Sequence, residues 1–368
     1  MVKGEKKIYL KGFRSWAEIN RKRLTENVSM IYNFTGKYIF AVVKADAYGH
    51  GAVNVSKILE EIPEVRYLCV ATAEEGKELR KAGVSKKILV LGGILDDEVK
   101  CFRDYSLIPV VSDFYQLNLA LKENLKTVHL KFDTGMHRLG FLSDEIEEVI
   151  KKVKGLDIEG LMSHFPSADT DRELTEKQIL TFRSIVNTFQ RSGIYPKYIH
   201  LQNSAGLVYN CDYCNAVRVG ISIYGGKPSN NFPLPVKTVM SVKAKVITVK
   251  KLKKGDTVSY GGTFRAHRDM DIAVVAFGYA DGLPRELSNK GFFLFKDRKL
   301  RILGNITMDM TVIDATGIKI KPMDTVTVIG KDCKKEIYFE DIAKMCRTIP
   351  YEIMCRISKR VKRVVVDE

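Results

Sequence analysis

The chain has 368 residues, of which 45% are hydrophobic and 28% charged, a globular composition long enough for two domains. Its formal net charge is +16, but the basic clusters at 250–254 and 359–363 are short and no nucleic-acid-binding motif accompanies them. We therefore predict a solvated basic surface and no nucleic-acid partner. No apolar run approaches the roughly 20 residues that span a bilayer, and no signal peptide is evident, so we expect a cytoplasmic protein without a membrane segment.

Seven cysteines are an odd number, which favours a reducing compartment over a disulfide framework. Cys211 and Cys214 form a lone C-x-x-C pair. A structural zinc site normally needs a second pair at metal spacing, and none follows. We predict neither a metal site nor a redox site here.

The first two thirds of the chain alternate short β-branched runs with segments of helical period. The predicted strands are 38–44, 66–71, 87–91, 107–111, 128–133, 157–164, 198–203 and 216–224. Helical period lies between them at 53–61, 74–82, 113–122, 144–154 and 173–192. Eight such strands predict an α/β fold with a (β/α)8 TIM-type barrel. A doubly wound sheet is disfavoured because the first strand is followed by no G-x-G-x-x-G turn.

The pattern changes after Pro235, where period-2 runs separated by Gly and Lys turns take over. These runs are 238–249, 257–260, 271–277, 300–303, 310–314 and 325–329. They predict a C-terminal, mostly-β domain. The expected domains are a barrel at 12–236 and a β-rich domain at 237–368, with residues 1–11 packing against the latter.

Polar side chains stand at the ends of five predicted barrel strands: Lys44, Lys131 with Asp133, His164, Asn203 with Ser204, and Arg218 with Gly220. Active sites of such barrels lie at the carboxyl ends of the strands. The sequence therefore predicts a site at this rim. Lys44 could carry a carbonyl cofactor as a Schiff base, or it could simply extend its amine to solvent; the residues alone leave both open.

Nine ordered motifs carry a family resemblance. AVVKADAYGHG at 41–51 resembles the pyridoxal-5'-phosphate (PLP) lysine motif of the alanine racemases, which are fold-type III PLP enzymes. The others are HLKFDTGMHRLG (129–140), SHFPSAD (163–169), QNSAG (202–206), RVGISIYG (218–225), SYGGTF (259–264), GYADGLPR (278–285), GNITMDM (304–310) and TIPYEI (348–353). The resemblance covers nearly the whole chain.

The resemblance implies two catalytic residues. Lys44 would bind the cofactor covalently and serve as one acid–base group, and Tyr260 would serve as the other on the opposite face of the substrate. Racemisation needs both because the α-proton leaves one face and returns to the other. Without the resemblance, the residues favour a structural role for Tyr260, as an aromatic residue at a strand end in the hairpin S-Y-G-G.

The resemblance also implies the binding residues. Arg218 would face the pyridine nitrogen, in one network with His164 and His200. The remaining cofactor contacts would be Tyr48, Asn203, Ser204, Gly220, Ile221 and Tyr351. The substrate would be bound by Arg138, by the Met308 N–H and by Lys131, which we expect to be carbamylated, with Tyr279 at the entrance.

The implied function is interconversion of L- and D-alanine for peptidoglycan, by a homodimer whose chains share their active sites. A serine or broader amino-acid racemase of the same fold is the alternative within the family. Two other classes stay open: a non-catalytic PLP-binding single barrel, and a PLP decarboxylase. The β-rich domain disfavours the former, and Arg218 disfavours the latter, since decarboxylases of this group usually place a carboxylate at the pyridine nitrogen.

Overall fold

The computed structural model describes residues 12–229 and 231–367. The chain divides into two compact units. One unit is the continuous segment Leu24–Lys237, and the other joins residues 12–23 with residues 238–367.

The segment Leu24–Lys237 contains a closed eight-stranded parallel barrel, which confirms the predicted fold. Each strand pairs with the next in the chain, and the last pairs with the first through Tyr38 and Ala216. The strands are β2 (Tyr38–Val42), β3 (Val65–Val70), β4 (Lys87–Val90), β5 (Leu107–Val111), β6 (Thr127–Lys131), β7 (Asp157–Met162), β8 (Tyr198–His200) and β9 (Ala216–Val219). The first strand of the chain, β1 (Ser15–Asn20), belongs to the other unit.

The helices up to the end of the barrel are α1 (Arg21–Thr35), α2 (Ala52–Glu60), α3 (Ala73–Lys81), α4 (Val99–Asp104), α5 (Phe114–Lys122), α6 (Ile146–Lys152) and α7 (Arg172–Arg191). Four begin at a side-chain cap: Asn20, Thr72, Asp113 and Asp171 each accept a hydrogen bond from the backbone N–H three residues on. Two of these helices, α1 and α4, were not expected from the sequence. In α1 the signal was present, because Leu24, Val28 and Ile31 are buried at helical spacing.

The barrel interior follows the period-2 alternation of its strands. Phe40 and Val42 of β2 point inward beside Tyr67 and Cys69 of β3. A polar group also lies inside, where Glu159 accepts hydrogen bonds from the Tyr67 hydroxyl at 2.6 Å and from Lys87 Nζ at 2.6 Å. Burial of that carboxylate is tolerated because it is paired.

The other unit is built on a nine-stranded sheet whose longest strand is β10. The strands of this sheet are β1 (Ser15–Asn20), β10 (Met240–Leu252), β13 (Met270–Val275), β14 (Phe292–Phe295), β15 (Arg298–Arg301), β16 (Thr311–Asp314), β17 (Thr325–Asp332), β18 (Lys335–Ile337) and β19 (Lys362–Val366). Two short strands, β11 (Thr257–Val258) and β12 (Phe264–Arg265), form a separate pair. Two helices follow β18: α8 (Phe339–Cys346) and α9 (Pro350–Arg356). The unit is mostly β, as predicted.

The predicted start of the barrel at residue 12 is wrong. Ser15–Asn20 forms β1, which pairs antiparallel with β10 and parallel with β19, and Trp16, Ala17 and Ile19 are buried there. The cause is pairing between segments more than 200 residues apart, which local periodicity does not report. The second boundary lies at Lys237/Thr238, one residue beyond the expected 236/237. The expected packing of residues 1–11 lies outside the described residues.

Candidate active site

Lys44 begins an unusual turn at the carboxyl end of β2. Ala45, Asp46, Ala47 and Tyr48 all have φ between 53° and 54°, the left-handed region. Bonds from Ala47 N to Val43 O at 2.8 Å and from Gly49 N to Ala45 O at 3.0 Å close one left-handed helical turn. For residues with a Cβ this conformation costs roughly 1–2 kcal/mol each. Such strain persists only where the surroundings impose it, and it concentrates at functional sites.

Two carboxylates help to hold this turn. Glu75 accepts a hydrogen bond from Ala45 N at 2.7 Å, next to Lys44. Asp46 accepts one from Ala52 N at 2.8 Å, at the start of α2. The turn is therefore held at its first two strained residues, Ala45 and Asp46.

Arg218 of β9 lies at the centre of the rim and is only 3% exposed. It donates to the carbonyl oxygens of Ser163, His200 and Leu201 and to the Nδ1 atoms of His164 and His200. Burial lowers the pKa of Arg218 to about 10, so the guanidinium stays protonated at neutral pH. Within the described part of the chain its Nε–H has no acceptor, which leaves one donor for a ring nitrogen.

The donor-only guanidinium fixes the tautomers of two histidines. His200 Nδ1 must accept from Arg218, at 2.7 Å, so the His200 proton sits on Nε2 and is donated to His129 Nδ1 at 2.8 Å. Burial and the charge of Arg218 hold the pKa of His200 well below its usual value, and burial first, then Lys87 and Arg218, lowers that of His129 to about 3. Both rings are neutral at pH 7. The predicted contact of Arg218 with His164 and His200 is present.

The turn that follows β9 forms a cradle of backbone donors. The Gly220 N–H donates to Ser204 Oγ at 3.3 Å, while the N–H groups of Ile221 and Ser222 donate to no acceptor in residues 12–229 or 231–367. A Cβ on Gly220 would lie 2.4 Å from the Tyr48 hydroxyl, so only glycine lets that hydroxyl approach the turn. Consecutive unpaired N–H groups with two hydroxyls are suited to a phosphate.

Asn203 differs from its neighbours on the rim. Its amide donates to Phe165 O at 3.1 Å and accepts from Gly206 N at 2.9 Å. Both ends of the side chain thus shape the loop after β8. Its predicted cofactor contact stays a prediction.

Lys131 ends β6 and is buried beside positive charges. Burial, followed by Arg218 and Arg138, lowers the pKa of its amine to about 8. The same charges, with that of Lys44, add to burial in lowering the pKa of His164. Arg138 itself is exposed, in the loop after β6. A lysine held among cations is a candidate for conversion to an anion, which supports the carbamylation that we expect.

In the β-rich unit, a single loop gathers three predicted site residues. The loop 304–310 contains Met308 and accepts hydrogen bonds from Tyr279 N at Thr307 O and from Ala280 N at Met308 O, both at 3.0 Å. Asn305 of this loop donates to Tyr260 O at 2.8 Å. Met308 N–H itself has no acceptor among the residues described.

The three predicted site side chains that meet at this loop are open to solvent in the single chain. Tyr260 is 76% exposed, Met308 52% and Tyr279 44%. Ser259, just before Tyr260, has φ 64° and ψ −176°, a conformation that is strained for any residue but glycine. Strain and exposure therefore coincide at the tyrosine predicted to be catalytic.

Tyr351 lies on α9, immediately after its first residue, Pro350. That helix ends against the turn that follows Tyr279. A Cβ on Gly282 would lie 2.4 Å from Arg356 O, and Ser358 N donates to Asp281 O at 3.1 Å. Tyr351 is thus attached to the same group of loops as Tyr279.

Cys211 and Cys214 lie outside the rim. Both are buried, and the turn between them is closed by a bond from Cys214 N to Cys211 O at 3.0 Å. In the described residues no group of three or more His, Cys, Asp or Glu side chains is arranged to hold a metal ion.

A barrel that presents a lysine, a buried arginine and a phosphate cradle on one rim, joined to a β-rich unit, defines a PLP-dependent enzyme. The family model of the alanine racemase N-terminal domain matches residues 19–228, and that of the C-terminal domain matches residues 239–365. The chain belongs to the alanine racemase family.

Individual relatives agree with this assignment. The chain is 46% identical to the alanine racemase of Aquifex pyrophilus over 96% of its own length and 99% of the relative's. The solved alanine racemase of Clostridium difficile 630 superposes with a TM-score of 0.90 at 35% identity, covering 96% of each chain. That of Bartonella henselae, with covalently bound pyridoxal phosphate, gives a TM-score of 0.85 at 30% identity, covering 96% of this chain and all of that one.

These matches exclude two alternatives from the sequence analysis. A single-barrel PLP-binding protein lacks the C-terminal domain that matches here, and a decarboxylase is not the class that both family models describe. The described residues contain no helix long and apolar enough to cross a membrane.

Sequence reasoning missed two residues of the rim network. Glu75 contacts the Lys44 turn although it stands in a helix 31 residues further along the chain, and His129 lies inside β6. A signal for His129 existed, namely a polar residue inside the strand T-V-H-L-K. Glu75 gave none, because an acidic residue in the first turn of a helix is common.

Proposed function

We propose that the protein is an alanine racemase that interconverts L- and D-alanine with PLP bound to Lys44. The observation that carries the proposal is the strained left-handed turn, which presents Lys44 at the barrel rim also occupied by buried Arg218. The D-alanine formed would supply peptidoglycan. The seven unpaired cysteines support a cytoplasmic location, which is part of the proposal.

The residues present fit the cofactor at each end. The N–H groups of Ile221 and Ser222, with the hydroxyls of Ser204 and Tyr48, would hold the phosphate, and Arg218 Nε–H would face the pyridine nitrogen. Because arginine only donates, it leaves that nitrogen unprotonated. When bound, PLP withdraws electrons from the amino acid and so acidifies its Cα–H bond.

Two groups of the protein would move the α-proton. Lys44 Nζ takes or returns it on one face of the α-carbon, and Tyr260 Oη does so on the other. Each group ends a turnover in the protonation state in which the reverse reaction begins. Inversion requires this pair, because a single base returns the proton to the face from which it came.

The substrate carboxylate would be bound by the Arg138 guanidinium and by the Met308 N–H. Guanidinium and carboxylate form paired, charge-assisted hydrogen bonds. A carbamate on Lys131 would orient Arg138 and offset the surrounding positive charge. Tyr279 and Tyr351 would line the entrance and restrict the side chain of the substrate.

We further propose a homodimer in which Tyr260 and Met308 of one chain complete the rim around Lys44 of the other. The exposure of Tyr260, Met308 and Tyr279 in the single chain supports a partner surface that covers them. Such an interface would be isologous, so both sites form at once.

The direct test is to incubate the PLP-loaded enzyme with L-alanine, L-serine and larger L-amino acids, and to follow the D-enantiomer by chiral chromatography. We expect alanine to react fastest by kcat/KM. A faster reaction with serine would assign the alternative selectivity, and no reaction with either substrate would reject the racemase function.

A mixing experiment tests the shared sites. Lys44→Ala and Tyr260→Phe chains are each expected to be inactive, but each hybrid dimer would contain one site with both native residues. A statistical mixture should recover about a quarter of wild-type activity after unfolding and reassembly together. Recovery no greater than the sum of the separate variants would contradict the shared site.

A further inference from the structure

We propose that Glu75 is a positioning residue for Lys44, whose carboxylate holds the left-handed turn that presents the cofactor lysine. This inference rests on the role proposed for Lys44. Glu75 does not touch the reacting atoms, and it acts through the backbone of Ala45.

The geometry of Glu75 is that of a clamp between two strand ends. One carboxylate oxygen accepts from Ala45 N at 2.7 Å, just after β2, and the other accepts from Ala71 N at 2.7 Å, just after β3. Ala71 is itself fixed, because its carbonyl accepts from Gly92 N at 3.1 Å beyond β4. Glu75 therefore ties the Lys44 turn to a backbone position that is held independently.

The contacts of Glu75 are not those of ordinary helix capping. Thr72 caps α3 by accepting from Glu75 N, and in a capping box the Glu75 carboxylate would return to Thr72 N. Here it passes Thr72 and bonds Ala71 and Ala45 instead. The Glu75 carboxylate therefore binds backbone N–H groups at the barrel rim and does not cap its own helix.

The Ala45 N–H has no acceptor other than Glu75 in the described residues, although the Ala45 carbonyl accepts from Gly49 N at 3.0 Å. Ala45 is also exposed, whereas Ala47 is buried. Packing therefore resists relaxation at Ala47 but not at Ala45. Without the Glu75 bond, Ala45 can return to negative φ, and the direction of the Lys44 side chain changes with it.

The test compares Glu75→Gln with Glu74→Gln in the PLP-loaded enzyme. Glutamine keeps the size of Glu75 but places an amide NH2 against one of the two N–H donors. Glu74, one residue earlier, pairs only with Lys77 at the surface and is the matched control. We expect Glu75→Gln to lower kcat per bound PLP at least fivefold and to speed cofactor loss on dialysis, while Glu74→Gln matches wild type.

A rescue experiment separates positioning from general stability. Glycine adopts positive φ without the Cβ penalty, so Ala45→Gly should keep the turn formed without help from Glu75. We expect Ala45→Gly/Glu75→Gln to regain most of the lost kcat and cofactor retention. If Glu75 only stabilised α3, the glycine would rescue neither quantity.

The inference is overturned if Glu75→Gln leaves kcat per bound PLP and the rate of cofactor loss unchanged, or if Ala45→Gly rescues neither. The melting temperature of the PLP-free variants is measured alongside, since a loss of stability alone would lower it equally with and without Ala45→Gly. If the wild type proved not to racemise alanine, the proposed function would fail, while the cofactor-retention experiment would still judge Glu75.

Discussion

The barrel rim around Lys44 and the loop that carries Tyr260 differ in how far one chain completes them. At the rim, Arg218 is almost fully buried, and two of its nitrogens are bonded to backbone and imidazole acceptors. In the β-rich unit, Tyr260 and the neighbouring Met308 are mostly exposed. Both regions hold strained backbone next to the proposed acid–base residue, at Ala45–Tyr48 and at Ser259. The half of the proposed site at the barrel rim is therefore preorganised within one chain. The half around Tyr260 has a defined backbone, but its side chains are exposed to solvent.

The largest effect is expected at the preorganised half. Lys44→Ala should lower kcat by at least about 10³-fold, because both the covalent attachment and one acid–base group are lost. Racemisation rate and borohydride-fixed cofactor are the measurements, with the surface substitution Lys57→Ala as control. A Lys44→Ala enzyme with a tenth of the wild-type rate would assign the cofactor to another lysine.

Tyr260→Phe should lower kcat by about 10²–10⁴-fold in both directions. Because the side chain is exposed in the single chain, the free energy of unfolding of the dissociated chain should change by less than about 0.5 kcal/mol. Tyr195→Phe, at a similarly exposed tyrosine, is the control.

Solvent deuterium sharpens this second prediction. If Lys44 still exchanges the proton on its own face, deuterium should enter D- or L-alanine without inversion in the Tyr260→Phe enzyme. If the Tyr260→Phe enzyme inverted alanine at the wild-type rate, Tyr260 would have no acid–base role. The comparison between the Lys44 rim and the Tyr260 segment as two halves of one site would then fail.

Lys131 should give an intermediate effect that depends on carbon dioxide. Lys131→Met removes the proposed carbamate and its charge-assisted hydrogen bond with Arg138. We expect KM to rise by about 10–100-fold as a result. Wild type in CO2-free buffer should shift the same way, and bicarbonate should restore it. If the mass of the native wild-type protein, measured in the presence of bicarbonate, did not include one added CO2, the carbamate on Lys131 would be contradicted.

The sign of the pH dependence follows from the lowered pKa of Lys131. Between pH 8 and the ordinary lysine value of 10.5 the unfolded chain binds more protons at this residue, so stability of the unmodified protein rises with pH. Below pH 8 the buried ammonium destabilises the fold. Lys131→Met in CO2-free buffer should therefore be more stable than wild type at pH 7, with an advantage that shrinks across this window in urea titrations.

The smallest effect is expected at Gly160, which lies beneath the rim. A Cβ there would lie 2.2 Å from His129 Nδ1, so Gly160→Ala should displace the ring that accepts from His200. We expect a loss of about 1–3 kcal/mol in the free energy of unfolding and less than a tenfold loss in kcat. His129→Ala would remove the clash, so the double variant should be more stable than additivity predicts, and strict additivity would contradict this reading.

Sequence periodicity was sufficient for the barrel and for most residues of its rim. All eight predicted strands form, because buried parallel strands are apolar, β-branched runs of limited length. Lys44, Lys131, His164 and Arg218 were found because strand ends of such a barrel converge on one rim. The predicted strand 38–44 nevertheless ends at Val42, since the left-handed turn is made of Ala, Asp and Tyr, which give no glycine signal.

The parts that periodicity missed depend on partners distant in the chain. β1 is a strand because β10 and β19 flank it, and Glu75 matters because Ala45 and Ala71 face it. The roles of Tyr260 and Met308 came only from family resemblance, since an exposed loop has no periodic pattern. Local sequence reports how a segment is buried, whereas these features depend on which segments meet.

Arg218 also has a mechanical consequence. Arg218 of β9 donates hydrogen bonds to the carbonyls of Ser163, His200 and Leu201, which links the ends of β7, β8 and β9. These strands lie where the barrel closes, because β9 pairs with β2. PLP on Lys44 would be yellow, and under the proposed function it would lie against Arg218. Its absorbance would therefore change when the hydrogen bonds of Arg218 break. Loss of the cofactor's absorbance in denaturant should therefore coincide with separation of β9 from β2. A single absorbance measurement would then report whether the eight-stranded barrel is closed.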